Sequence, residues 1–516
     1  MSKVKILWAD DEIDILKPQI MFLESKGYEV WPVTNGHDAI DRCQESQPDV
    51  VFLDESMPGL SGLETLTGIK EVNANLPVVM ITKNEAENIM EEAIGKQITD
   101  YLIKPVNPNQ ILLTLKKIIN KAELITDTTN SAYQQEFSKI FSEIQMGPDW
   151  KEWVDIYKKL VYWELELEKT TRKEMQEVMA MQKVEANKEF SKFIVRHYPN
   201  WMNGKEDGPT LSQDLFKDKL MPRFESNVPN FLILIDNLRY DQWKIIQPLL
   251  SEYYRFEEED TYYSILPTCT QYSRNAIFAG LPPSELAKRY PKHWKHDYEE
   301  GGKNMHEDFF LQENLKRLGY QIKTDYIKVT NHENGKNLVD NIHNLLENDL
   351  TVIVYNFVDM LSHARTELEV LKELASDESA YRSITASWFE HSPLFEALKR
   401  ISEKKVNLVV TTDHGTIRVQ HASKVIGDRN TTTNLRYKMG KNLNYDRKDV
   451  LEIRDPKSVC LPQPNISSSF IFAKEDIFFV YPNNYNYFAN YYRNTFQHGG
   501  ISLEEMIIPI AKFTSK

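Results

Sequence analysis

LVVTTDHGTI, residues 408–417, runs an apolar strand straight into an aspartate, a histidine and a glycine. Two other stretches end the same way, FLILID (231–236) in Asp236 and TVIVYNFVD (351–359) in Asp359. All three are nearly continuous apolar runs, as expected of strands buried on both faces of a parallel sheet. Residues 205–516 therefore read as an α/β domain whose strands deliver polar groups at their C-terminal ends, where open sheets bind ligands.

Working outward from Asp413-His414, the third strand end adds His363 four residues after Asp359, one helical turn away and able to point the same way. RNTFQHGG (493–500) sets His498 before two glycines, where the backbone can fold back on a site. Three aspartates and three histidines make a mixed O/N donor set suited to zinc or manganese. Six ligands exceed one tetrahedral ion and suit two, which about 4 Å apart stabilise both the attacking and the leaving oxygen of a displacement. ILPTCTQYSRNAIFAGLPP (265–283) offers the nucleophile, either Thr270 at a helix start or its rival Thr268. Arg239 and Arg274 lie near these residues, but arginine is mostly exposed, so surface charge is the default reading for both.

The first 120 residues alternate strand and helix in a second pattern. VKILWA (4–9), YEVWPV (28–33), DVVFLD (49–54), PVVMIT (77–82) and DYLIK (100–104) are the strands, and ILLTLKKIINKAELI (111–125) closes the unit. Their ends present Asp10-Asp11, Asp54, Thr82 and Lys104. Clustered carboxylates repel one another unless a divalent cation sits among them, and all-oxygen ligands suit magnesium. Asp54 would accept a phosphoryl group, with Asp10, Asp11 and Asp54 around the Mg²⁺. Thr82 would bond a phosphoryl oxygen, and Lys104 would pair with the new charge.

Between the two α/β regions, Tyr133, Phe137, Ile140, Phe141 and Ile144 recur at helical spacing, and Asp149 with Glu152 forms a helix-start capping box. Residues 123–204 are expected to form a helical bundle whose Met-rich stripe is core. Residues 198–230, including PNWMNGKEDGP, read as a linker around one short helix.

A net charge of −14 over 516 residues argues against general attraction to phosphate backbones, and no basic recognition helix is seen. Duplex DNA binding is not expected. The three cysteines (Cys43, Cys269, Cys460) have no paired spacing, and the N-terminus enters a strand without a signal pattern. A cytoplasmic chain without membrane insertion is expected. KRYPKHWKHDYEEGGKN (288–304) offers a basic, aromatic rim, although a solvated insertion fits equally. VYPNNYNYFANYYRN (480–494) is tyrosine-dense, with packing the default role, and His293, His296 and His306 stand outside the ligand pattern.

ADDE (9–12), LDESMPGLSG (53–62), MIT (80–82) and YLIKP (101–105) resemble the receiver domain of bacterial response regulators over residues 1–122. That resemblance implies a flavodoxin-like fold, phosphorylation of Asp54 by a histidine kinase, and a population shift that favours homodimers. The order D…PTxT…DxxxH…DH…HGG resembles the alkaline phosphatase superfamily, more narrowly PglZ domains. PTCT with AGLPP is also similar to the nucleotide pyrophosphatase/phosphodiesterase branch. This likeness implies a zinc held by Asp359, His363 and His498, and a second held by Asp236, Asp413, His414 and the Thr270 oxygen. It further implies attack by Thr270 to give a phosphothreonine, with the first zinc stabilising the leaving oxygen and then supplying water. Phosphodiesters, including linear or cyclic oligonucleotides and other nucleotides, are the expected substrates. Receiver, bundle and PglZ domain together resemble PorX-type response regulators, which implies a tie to type IX secretion control. The competing expectation is an adaptor whose metal domain binds a sigma factor or secretion component without turnover.

Overall fold

A computed structural model describes residues 3–83, 98–170, 174–367 and 377–516, and within these not the side chains of 116–117, 119–128 and 364–367. The chain divides into two compact units, Met1–Ala132 and Tyr133–Lys516.

The first unit is a five-stranded sheet of β1 (Lys5–Ala9), β2 (Glu29–Val33), β3 (Val50–Asp54), β4 (Val78–Thr82) and β5 (Asp100–Ile103). The strand order is β2-β1-β3-β4-β5 and every pairing is parallel. Alternate residues serve opposite faces, as strand geometry requires. Ile6, Trp8, Phe52, Val79 and Ile81 join one core, and Leu7, Ala9, Val51, Leu53, Val78 and Met80 the other. The helix expected to close the unit at residue 125 instead runs unbroken from Pro108 to Gln145.

The second unit holds a six-stranded sheet. Its strands are β6 (Asn230–Ile235), β7 (Tyr254–Tyr263), β8 (Thr324–Val329), β9 (Leu350–Tyr355), β10 (Asn407–Thr411) and the C-terminal strand Ile507–Ser515. In the order β7–C-terminal strand–β10–β6–β9–β8, the last four run parallel, while the C-terminal strand is antiparallel to both its neighbours. Every residue of β6, β9 and β10 is buried. Because β6 lies between β10 and β9, the three strands that end in aspartates are adjacent. The site is assembled by this strand order.

The helices Trp150–Glu168 and Glu174–Met202 share the core of this second unit. Tyr157, Leu160, Phe190 and Ile194 belong to the same apolar cluster as Leu232, Val352 and Val409. Met179 is buried in that core as its spacing suggested. Residues 198–230, however, are not a passive linker. Residues 199–202 complete the helix Glu174–Met202, and Leu211, Leu215, Phe216 and Leu220 are buried. The Pro/Asn/Gly-rich composition misled because the anchoring residues are spaced irregularly through short helical turns, which leave no periodic trace.

Candidate metal centre

Asp236 directly follows β6, Asp359 lies in the first turn of the helix Phe357–Glu367 after β9, and Asp413 lies two residues beyond β10. His363 sits one turn after Asp359, its Nε2 3.6 Å from the Asp359 Oδ1. His498 approaches the same carboxylate from the C-terminal loop, again with Nε2 at 3.6 Å. The donor atoms of Asp359, His363 and His498 lie within 4.8 Å of one another, as do those of Asp236, Asp413 and His414. The six strand-end residues thus come together as two groups of three.

The histidine tautomers follow from their partners. His414 Nδ1 is 3.1 Å from the Gly415 carbonyl, and His498 Nδ1 is 3.1 Å from the Thr268 carbonyl. A carbonyl only accepts, so each Nδ1 carries the proton and each Nε2 keeps its lone pair for the site. Burial, then repulsion from His414 and His363, holds the His498 imidazole well below its usual range and hence neutral.

The carboxylates are crowded. Burial pushes Asp413 up to about 7, and Asp236 adds to the rise. Burial and then Asp236 likewise raise Asp359. Burial opposes the charge on Asp236 too, but Arg274 and then His414 hold it below the usual carboxylate range. Asp413 Oδ2 is buried without a hydrogen-bond partner. An unpartnered buried oxygen, three neighbouring carboxylates and free imidazole Nε2 atoms form a donor set that fits two borderline divalent cations such as zinc.

Thr270 opens the helix Thr270–Ala279. Its hydroxyl lies 3.3 Å from Asp236 Oδ1 and 3.2 Å from His414 Nε2. Thr268 is engaged elsewhere. Its hydroxyl is fully buried, donates to the Gly500 carbonyl at 3.0 Å and accepts from the Gly499 amide at 3.0 Å. Geometry thus separates two threonines that the sequence left as rivals: one faces the ligands, the other pins the HGG turn and orients His498. Gly499 sits at φ +120°, a backbone region that side chains rarely adopt. At Gly415 a Cβ would meet the Glu504 carbonyl oxygen at 2.0 Å, so close approach requires glycine there.

The surface-charge default fails for both arginines, which are each 1 % exposed. Arg274, one turn beyond Thr270, donates from Nη1 to Asp236 Oδ2 at 2.6 Å and from Nε to Glu307. Glu307 is also held by Lys328 at 2.8 Å and the Tyr326 hydroxyl at 2.6 Å. Arg239 forks onto Asp241 and pairs with Glu378, beneath the rings of Tyr381 and Phe496. Both are already committed to carboxylates. Sequence reasoning also missed Asn237, at φ 64°. Its amide N–H reaches Asp413 Oδ1 at 3.3 Å and its side chain reaches Asp359 Oδ1 at 3.3 Å, so it ties the two ligand groups together. An asparagine directly after a strand-terminal aspartate, a residue type enriched in left-handed turns, was the available signal.

The 288–304 segment is an anchored structure. Asp297 accepts from the Tyr272 and Tyr437 hydroxyls, and Asn304 donates to the Thr270 carbonyl at 2.8 Å. In the tyrosine-dense run 480–494, Tyr487 is exposed and Tyr485 packs beside Phe488, neither as a ligand.

In the first unit, Asp10, Asp11 and Asp54 also form a group with oxygens within 4.8 Å. Lys104 Nζ bridges Asp10 Oδ2 at 2.8 Å and Asp54 Oδ1 at 3.0 Å. Burial raises Asp54 despite the opposing pull of Lys104. The Thr82 hydroxyl donates to Glu55.

Three family models match the chain. "BREX system PglZ alkaline phosphatase-like domain" covers residues 215–513, "PorX response regulator linker domain" 123–202, and "Response regulator receiver domain" 6–116. Among curated relatives, the transcriptional regulatory protein ResD of Bacillus subtilis is 30% identical over 148 residues, 29% of this chain and 61% of that protein. The alkaline phosphatase synthesis transcriptional regulatory protein PhoP of the same organism is 26% identical over 148 residues, 28% of this chain and 61% of that protein. The chain thus spans about three fifths of the length of these relatives. Among solved structures, the chemotaxis protein CheY4 of Vibrio cholerae is 28% identical with a TM-score of 0.22, covering 23% of this chain and 99% of that one. A response regulator receiver domain protein from Clostridium thermocellum is 30% identical with a TM-score of 0.23, covering 23% and 98%. No described helix is long and apolar enough to cross a membrane.

Proposed function

The chain belongs to the PglZ alkaline phosphatase-like family, with a PorX-type receiver and linker ahead of the PglZ domain, and from that premise we propose a phosphorylation-controlled, zinc-dependent phosphodiesterase. One observation carries the reading: the Thr270 hydroxyl, at the start of a ten-residue helix, lies 3.3 Å from Asp236 and 3.2 Å from His414, two members of one of the two candidate metal-ligating triads. Asp359, His363 and His498 would hold one zinc, and Asp236, Asp413, His414 and the Thr270 oxygen the other. Bound zinc supplies Lewis acidity and charge neutralisation at the transferred phosphoryl group.

The chain's own residues do the rest. The Thr270 hydroxyl donates toward Asp236, which draws off its proton as the oxygen bonds to phosphorus. The ester oxygen leaves with its electron pair, water then cleaves the threonine–phosphate bond, and the hydroxyl is restored. Partial positive charge at the helix start favours the developing anion. Asn237 and Arg274 fix the carboxylates so that little reorganisation remains for the reaction itself.

The receiver implies a phosphodonor such as a histidine kinase, with Asp54 as acceptor and magnesium among Asp10, Asp11 and Asp54. We place the protein in the cytoplasm, dimerising on phosphorylation, with oligonucleotide diesters as substrates and secretion control as its setting. Rapid acid quench during turnover of bis(p-nitrophenyl) phosphate, followed by peptide mass spectrometry, is expected to find a p-nitrophenylphosphoryl group on Thr270, one p-nitrophenolate having left. Turnover without any phosphorylated Thr270 peptide, under conditions where burst kinetics require an intermediate, would contradict the nucleophile.

A further inference from the structure

The helix that carries Asp359 and His363 has a second working face. At 100° per residue, Phe357 points away from the Asp359–His363 edge and Met360 lies between the two. Together they line a cavity of about 310 Å³ with Tyr355, Trp388 and His391, at the lower end of the size range of small-molecule sites, about 300–1,000 Å³. It opens at the C-terminal ends of β8 and β9, whose last residues, Val329 and Tyr355, form part of its wall. That is the sheet edge where α/β proteins bind ligands, one strand beyond the metal-ligating groups.

Three observations define what fits. Phe357 and Trp388 stack face to face with ring centroids 4.0 Å apart and planes 4° apart, giving a flat aromatic wall. Met360 is 48% exposed at the mouth, an adaptable thioether that a ring can cover. None of the described residues lining the cavity is a carboxylate, in a chain of net charge −14. Another hollow, beside the linker helices, is by contrast lined by six carboxylates, Glu164, Glu168, Glu378, Glu475, Asp476 and Glu504, against two cations, Lys183 and Arg418. An anion is repelled there and tolerated here.

We propose that this cavity is a base-binding subsite, which takes the nucleobase of the nucleotide next to the scissile phosphodiester. The inference rests on the phosphodiesterase reading and names part of its substrate. Met360 at the cavity mouth lies three residues before His363, so the mouth adjoins the metal-ligating edge of the helix. A base carried on a sugar next to the reacting phosphate can reach across that edge. Stacking on an aromatic wall tolerates different bases. The cavity therefore selects for a nucleotide diester over a base-free one more than for a particular sequence.

The test compares a dinucleotide with bis(p-nitrophenyl) phosphate, which has no nucleobase, on the zinc-loaded full chain. Trp388→Ala is expected to lower kcat/KM for the dinucleotide about 10-fold or more, mainly through KM, with the small diester within two-fold of wild type. Met360→Glu, at an exposed position that preserves the fold, is expected to act in the same direction by placing a carboxylate at the mouth. If both variants hydrolyse dinucleotide and small diester in the wild-type ratio, the subsite is overturned while the diesterase stands. If the wild type cleaves neither, the function itself has failed. Binding of a phosphorothioate dinucleotide to Thr270→Ala then judges the cavity separately: equal affinity with and without Trp388→Ala refutes it, and weakened affinity supports it.

Discussion

The chain collects carboxylates at strand ends twice, and the two collections differ in what they are built to keep. In the receiver, Asp10, Asp11 and Asp54 supply oxygen alone, and Asp11 is exposed. In the PglZ domain, carboxylates share the work with imidazoles whose tautomers are pinned by backbone carbonyls. The bridging cations differ in the same sense. Lys104 holds Asp10 and Asp54 with a mobile point charge at the end of a flexible stem. Arg274 locks Asp236 to Glu307 with a rigid planar fork. The proposed nucleophiles, Asp54 and Thr270, match this division. A phosphoryl group on a carboxylate is a labile mixed anhydride, fit for a transient signal, whereas one on a threonine hydroxyl is a stable ester that needs a catalyst to remove it. On the proposed reading one site is a switch and the other a fixed reaction centre.

The contrast is most exposed at the bridging cations. Arg274→Met strands Asp236 and Glu307 in the interior, and we expect a stability loss of roughly 3–5 kcal/mol for the second unit, read by denaturant unfolding. Lys104→Met, at a point charge that keeps some exposure beside the exposed Asp11, is expected to cost less, on the order of 1–2 kcal/mol. Equal losses would erase the distinction between rigid and mobile pairing. Next in size, His414→Ala should remove one of two zinc ions and slow diester turnover about 10²-fold, equivalent to about 2.7 kcal/mol. Asp11→Asn is expected to weaken only magnesium binding at the receiver and to leave zinc content unchanged. Zinc loss on Asp11→Asn, or full zinc content in His414→Ala, would break the assignment of metals to sites.

How far each site could be read in the sequence follows from what holds it. The receiver's strands were legible almost to the residue, because apolar runs such as VVFLD and VVMIT end where their polar groups begin. The candidate metal-ligating residues were legible for a similar reason: Asp236, Asp359 and Asp413 each follow a continuous apolar strand within four residues. The groups that support them were not. Arg274 is fixed by Asp236 and by Glu307, 38 and 33 residues away, and a lone arginine in a helix carries no local mark of such distant partners. Thr268 and Thr270 are two residues apart, and only the folded loop reveals that one hydroxyl turns to Gly499 and Gly500 while the other turns to the ligands.

The long helices show the same limit at larger scale. Their 3.6-residue periodicity predicted helices but not what would cover them. Glu164 and Lys183 meet at 2.8 Å, Lys183 reaches Glu504 at 3.5 Å, and Asn187 bonds Glu504 at 3.0 Å and the Leu503 amide at 2.8 Å. Arg382 pairs with Glu164 at 3.2 Å and Asp241 at 2.7 Å, and Asp241 in turn holds Arg239. The linker helices are thereby bonded to the short helices that follow Asp236 and His498. These contacts span hundreds of residues, which no periodicity records.

The central claim, that a two-zinc centre with Thr270 as nucleophile hydrolyses phosphodiesters, is tested most directly by measuring metal content and bis(p-nitrophenyl) phosphate turnover on the same preparations of wild type and Thr270→Ala. Two zinc ions per chain in the wild type, near-complete metal retention in Thr270→Ala and a turnover loss of about 10³-fold or more are the predicted result. Undiminished turnover in Thr270→Ala, or wild-type turnover in protein stripped of zinc, would contradict it.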